Sequence, residues 1–130
     1  MEELMNILQQ FGYSKHIGIQ VSHLEEGNVE LELPISRSIL NYNQKVHGGA
    51  IAGLLDVVIG MTIHTLYGKP MVTVNLNISY LASAPENETL TATAKILNSG
   101  YNIVTGEAEV RDSHGVLVSK AVGTYKIINK

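Results

Sequence analysis

At 130 residues the chain is long enough for one hydrophobic core, and by length residues 1–130 form a single domain. A content of 45% hydrophobic and 16% charged residues excludes a disordered chain, while a net charge of −3 and a pI near 5.9 give no electrostatic case for nucleic acid or an anionic membrane surface. The absence of cysteine excludes disulfides, thiolate metal sites and cysteine nucleophiles, and the five histidines show no His-x3-His spacing, so no metal site is expected.

The chain starts acidic, with Glu2 and Glu3, and lacks the positive leader of a signal peptide; the cytoplasm is the expected location. Leu4, Met5, Leu8 and Phe11 fall at helical spacing over residues 2–11, and Gly12 ends that short helix. An extended pattern then runs over 17–35, with a turn at 25–28. Val29, Leu31, Leu33 and Ile35 alternate there with Glu30, Glu32 and Pro34. Residues 36–45 read as a polar loop.

Residues 48–66 come next, an apolar run whose only formal charge is Asp56. As a helix it would be roughly 28 Å long. The run has membrane length, but Gly48, Gly49, Gly53, Gly60, Asp56 and His64 dilute it too far for a convincing span, and a helix buried inside a folded protein is expected instead. A helix apolar on every face is expected to be buried all round. Gly68, Lys69 and Pro70 end it.

Four extended stretches follow, over 71–81, 89–97, 101–111 and 115–128, separated by turns at 84–88, 98–100 and 112–115. In the first of them Val72, Val74, Leu76, Ile78 and Tyr80 form the apolar set against Thr73, Asn75, Asn77 and Ser79. Short connections make neighbouring strands antiparallel, so the expected architecture is α+β, with one antiparallel sheet wrapped around one long central helix.

The start of that helix, His47-Gly48-Gly49, and the acid inside it suggest a catalytic pair. The first N–H groups of a helix have no intrahelical acceptor, and the macrodipole adds positive potential there. Glycine lets a substrate carbonyl come close to the backbone. Asp56 is a poor helix-interior residue that is costly to bury, and it suits a general base or nucleophile.

Asn41, His47, Gly48, Gly49, Asp56 and Gly60 follow the pattern Asn-x5-His-Gly-Gly-x7-Asp-x3-Gly. This chain thereby resembles the hotdog-fold acyl-CoA thioesterases of the 4-hydroxybenzoyl-CoA thioesterase superfamily, in particular the phenylacetate-pathway and thioesterase-superfamily-member-2 type. The resemblance covers about 17–127. One departure is Gln44, where many members carry glycine. The resemblance implies hydrolysis of a medium-chain or aryl/phenylacetyl-type acyl-CoA to free acid and CoA. It also implies catalytic roles for Asp56, the Gly48 N–H, His47, Asn41 and Thr73, whose hydroxyl would orient the attacking water.

CoA would be cradled by Gly49, by Tyr80, Leu81, Ala82 and Ser83, and by Asn98, Gly100 and Tyr101. The segments 80–85 and 98–103 hold no Lys or Arg, so phosphate recognition falls to backbone N–H groups or to Lys45, Lys69, Lys95 or Lys120. No cofactor or metal is implied beyond the CoA thioester substrate.

Gly48 and Asp56 are roughly 12 Å apart along one helix axis, too far to meet on one reacting carbon. The site is therefore expected to join Gly48 of one subunit to Asp56 of another across a two-fold axis. The family's habit of pairing dimers extends the expectation to a tetramer. Hydratase chemistry on the same fold uses an Asp-x4-His pair or a His with a helix Glu. Met61 stands five residues after Asp56, and the helix has no Glu. The remaining alternative is a non-catalytic hotdog module that binds acyl-CoA or a lipid.

Overall fold

The computed structural model describes residues 2–10 and 12–128. Helix α1 (Glu2–Gln10) packs Leu4 and Leu8 against the core, as the helical spacing predicts. Phe11, part of the same pattern, lies outside the described residues. Gly12, at φ +69°, breaks α1 as expected, but the chain turns at once into a second helix, α2 (Gly12–Ile17), rather than into a strand. Ser14 and Ile17 anchor α2 by burial. The extended pattern expected from 17 starts only at Gln20.

Strands β1 (Gln20–Glu25) and β2 (Asn28–Pro34) form the expected hairpin, with Gly27 supplying the left-handed turn residue at φ +75°. Val29, Leu31 and Leu33 are buried and their glutamate neighbours only partly so, the alternation a sheet with one covered face requires. After a single 3-10 turn (Arg37–Ile39) comes α3 (Gly48–Tyr67). Gly68 ends α3 in the left-handed conformation (φ +64°), its N–H donating to His64 O at 2.8 Å. Strands β3 (Met71–Tyr80), β4 (Thr89–Ser99), β5 (Ile103–Arg111) and β6 (Leu117–Ile127) complete the chain. Every neighbouring pair is antiparallel, in the order β1-β2-β4-β5-β6-β3. The sheet curls around α3, as expected.

α3 has the length and apolarity of a membrane span, but Leu54, Leu55, Val58, Ile59 and Ile63 are fully buried beneath the sheet. It is not buried all round. Gly49, Gly53, Asp56, Val57, Gly60 and His64 lie within about 100° of one another around the helix and are only partly covered or exposed. One sheet covers one side of a helix, and this stripe is the side it leaves.

The β5–β6 turn is locked by carboxylates. Asp112 Oδ1 accepts from the N–H groups of His114 and Val116, both at 2.9 Å. Glu88 accepts from the Ser113 hydroxyl and from its N–H at 2.8 Å, and these bonds hold the Glu88 carboxyl below its ordinary range.

Gly106 of β5 and Gly123 of β6 are directly paired, and together they form the notch into which α3 settles. A Cβ on Gly106 would lie 3.0 Å from Ile59 Cγ2, and one on Gly123 would lie 2.9 Å from Tyr125 Cε1 and 3.1 Å from Leu76 Cδ1. Gly123→Ala is therefore expected to cost about 1–3 kcal/mol by forcing the buried Tyr125 ring aside. Thermal or urea unfolding of the variant measures it, and unchanged stability would show that the notch is not tight.

Candidate active site

His47 has extended backbone (φ −69°, ψ 138°) and caps α3: its ring Nδ1 accepts the Gly49 N–H at 2.8 Å. That bond places the ring proton of the neutral imidazole on Nε2. It also separates the two glycines. The Gly49 N–H is used by the cap, whereas among the described residues no acceptor takes the Gly48 N–H. Two tyrosines pin the same turn. Tyr80 donates its hydroxyl to Gly48 O at 2.9 Å, and Tyr13 donates to Gly49 O at 3.3 Å. The Tyr13 ring also fills the space over Gly53, where a Cβ would lie 2.4 Å from Cε2.

Asn41 faces back into its own loop. Its side-chain oxygen accepts from the N–H groups of Asn43 (2.9 Å) and Lys45 (3.1 Å), an Asx arrangement that shapes the approach to His47. Gln44 within this loop sits at φ +66°, the left-handed region.

The Asp56 carboxylate is met from two strands on one oxygen. Thr73 Oγ1 donates to Oδ1 at 2.9 Å, and the Tyr125 hydroxyl donates to the same Oδ1 at 2.7 Å. Tyr125 also reaches the Asp56 backbone carbonyl at 3.1 Å. Among the described residues no hydrogen bond ends on Oδ2. Burial first, and the bond to Asp56 second, push the Tyr125 hydroxyl far above its ordinary range, so it remains a donor.

A bulge lets Thr73 reach the acid. Thr73 pairs with Tyr125, but Asn75 already pairs with Thr124, so Val74 is an extra residue in β3. The insertion switches the parity of the strand. Met71, Thr73, Leu76 and Ile78 face the helix, while Val72 and Val74, expected on the inner apolar face, are 46% and 59% exposed.

Tyr125 is the site residue that sequence reasoning missed. It belongs to the inward set of β6 with Ser119, Ala121, Gly123 and Ile127. A buried tyrosine needs a hydroxyl partner, and Asp56 is the only formally charged residue in the helix beneath it.

Asp56, Thr73 and Tyr125 line a groove of about 410 Å³ together with Leu4, Met61, His64 and Met71. His64 shares this groove and makes no hydrogen bond to the acid among the described residues. His47 and Gly49 line a different groove, with Tyr13, His16 and Ser38. One chain therefore holds the acid and the helix start at separate places.

The segments expected to cradle CoA are also separated. Tyr80 lies against the start of α3, with Leu81, Ala82 and Ser83 following it, whereas Gly100 accepts from Tyr67 at the far end, where Asn98 and the 91% exposed Tyr101 flank it. Several of their N–H groups are already bonded. Leu81 and Ala82 both donate to Val118 O, and Gly100 donates to Ile103 O.

A family model for the thioesterase superfamily matches residues 43–119, from the loop before α3 into β6. The chain belongs to the thioesterase superfamily. It is thereby a thioester hydrolase by class. A Thermoplasma acidophilum protein named "Putative esterase" is 30% identical over 128 residues, covering 97% of this chain and 96% of its own. Acyl-coenzyme A thioesterase PaaI of Escherichia coli is 28% identical over 97 residues, covering 75% of this thioesterase and 69% of its own length. The solved structure of the E. coli PaaI protein from the phenylacetic acid degradation operon superimposes with a TM-score of 0.91 at 22% identity, over 98% of this chain and 92% of that one. The six-stranded sheet around α3 is thus the hotdog fold.

The family's glycine at the position of Gln44 now has a physical reason in this thioesterase. A residue with a Cβ costs about 1–2 kcal/mol in the left-handed region, more than the extra unfolded-state entropy of glycine, about 0.5–1 kcal/mol. Gln44→Gly is expected to stabilise the fold by about 0.5–1 kcal/mol and to raise Tm by a few degrees. A calorimetric scan showing a lower Tm would mean that the Gln44 side chain supports the loop.

Proposed function

We propose that the chain is an acyl-CoA thioesterase that hydrolyses a medium-chain or aryl/phenylacetyl-type acyl-CoA to the free acid and CoA. The reading rests on Asp56, a mid-helix carboxylate held on Oδ1 by Thr73 and Tyr125, with no donor to Oδ2 among the described residues. Oδ2 takes a proton from water as the water oxygen bonds to the thioester carbonyl carbon. The carbonyl oxygen gathers the negative charge and is met by the unpaired Gly48 N–H. The C–S bond then breaks, and the proton held by Asp56 goes to the leaving thiolate.

Acid and donor come from different subunits. The roughly 12 Å between Gly48 and Asp56 along α3 supports a site shared between chains. The uncovered stripe of α3 and the end strand β3 adjoin at the Asp56–Thr73 bond, so one partner can cover both. A two-fold axis then brings the partner's helix start to Asp56 and makes two equal sites. The same operation would join segments 80–83 and 98–101 of different subunits around CoA. Because the N–H groups of Leu81, Ala82 and Gly100 are spent inside the chain, the phosphates are left to the other N–H groups of these segments and to lysine side chains.

Steady-state release of free thiol across a panel of acyl-CoAs tests the acid. Asp56→Asn is expected to lower kcat at least ~100-fold with little change in KM. Binding without turnover in the wild type would instead favour a carrier or sensor of acyl-CoA.

A second experiment tests the shared site. The extended backbone of His47 suits a following proline, and proline is favoured at the first helical position, so Gly48→Pro deletes the donor with little strain. Alone, it is expected to lose about 10²–10³ in kcat. Co-expressed with Asp56→Asn, it should recover roughly a quarter of wild-type activity, because a mixed dimer keeps one intact site. No recovery in a mixed dimer isolated by two affinity tags would place the whole site in one chain.

A further inference from the structure

We infer that Tyr125 is a positioning residue of this site: together with Thr73 it pins Oδ1 of Asp56, leaving Oδ2 as the one oxygen that meets water. The inference rests on the proposed role of Asp56 and goes beyond it, since neither the family motif nor the sequence pattern assigns the residue. A free carboxylate can offer either oxygen in several rotamers. Here one oxygen has two donors from adjacent strands, at 2.7 and 2.9 Å, and the side chain is fixed from the sheet side. The same hydroxyl proton is shared with the Asp56 carbonyl at 3.1 Å, so one hydroxyl faces both backbone and side chain of the acid.

The donor is itself immobile. The ring is 1% exposed, in contact with the Gly123 notch, and its strand is paired on both sides, with Thr73 on β3 and Val104 on β5. Burial and the nearby acid keep the hydroxyl protonated, so its proton stays on the phenol while Oδ2 gains and returns the proton of water.

Three titratable side chains line the groove among the described residues: Asp56 and His64 from α3, and Tyr125 from β6. Leu4 of α1 and Met71 and Thr73 of β3 carry no charge, and Lys126 is exposed. Hydrogen bonding to the ionised form of an acid favours that form. Removing the Tyr125 donor is therefore expected to be read in the acid limb of the pH profile.

The experiment measures kcat and KM against pH for the wild type, Tyr125→Phe, Tyr125→3-fluorotyrosine and Asp56→Asn. Phenylalanine keeps the ring and removes the donor, and is expected to lower kcat about tenfold, to leave KM within about twofold and to move the acid limb of kcat/KM up by about one pH unit. The fluorinated ring keeps the bond and strengthens the donor, so it is expected to move the same limb down. A folded Tyr125→Phe with the limb unmoved overturns the inference, whether or not kcat falls, because a purely structural role predicts that result. If Tyr125→Phe does not fold, the fluorinated protein decides, and a limb in its wild-type place overturns the inference. The two readings fail separately. Activity retained in Asp56→Asn removes the role of the acid itself, whereas an inactive Asp56→Asn beside a limb unmoved by either Tyr125 variant removes only Tyr125.

Discussion

A single carboxylate in the middle of an apolar helix must find hydrogen-bond donors, and much of this structure is arranged to supply them. An ionised acid left unpaired beside the core would be costly. Asp56 meets that demand with two hydroxyls from the two strands at one end of the sheet, Thr73 on β3 and Tyr125 on β6. Each donor depends on a backbone device. Thr73 faces the helix because Val74 bulges out of the ladder. Tyr125 keeps its place between helix and sheet because Gly123 has no Cβ to push its ring away. The same glycine, with Gly106, lets Ile59 sink into the sheet and brings α3 close enough for both bonds. The packing of the core and the orientation of the acid are thus one problem with one solution.

The start of α3 shows the complementary economy of donors. A helix leaves its first N–H groups without partners, and here the ring of His47 takes one of them, from Gly49. The cap stabilises the helix while selecting which donor stays open. Tyr80 and Tyr13 bond to the carbonyls of the same two glycines, so the turn is held by its acceptors while the Gly48 donor meets no acceptor among the described residues. A looser turn would present the same atoms in several places, and preorganised donors are worth most when they need not move.

Much of this was legible in the chain. The long central helix, its glycine stop, the two hairpin strands and the four later strands all follow from periodicities of 3.6 and 2 and from glycine and proline punctuation. The exceptions share a cause, non-local geometry. Residues 12–17 carry only Ile17 and Tyr13 as large apolar side chains, too few for a period, yet they fold as α2 because Ile17 finds the core. The apolar alternation from Val72 to Tyr80 is unbroken in sequence, whereas the real strand changes parity at Val74, set by pairing with β6 rather than by its own residues. Tyr125 lies 69 positions from the acid it holds, and no local pattern connects them. The spent N–H groups of Leu81 and Ala82 likewise depend on Val118, on a strand distant in sequence.

The distance between donor and acid along α3 gives the architecture its logic. A folded chain can hold one oxygen of Asp56 by itself, because Thr73 and Tyr125 are its own, and it can cap one N–H of its helix start, because His47 is its own. It cannot bring the acid to the open donor, since a straight helix keeps them roughly 12 Å apart. What stabilises the fold is therefore internal, and what completes the proposed chemistry is external. On that reading the partner need not distort either half-site on docking: each arrives already oriented, and covering the exposed stripe of α3 removes water from both at once. Association would then add the hydrophobic burial that the apolar helix still lacks and supply the catalytic geometry in the same step. The partly bare face of α3, an anomaly for an isolated chain, would follow directly from a site that is divided in two.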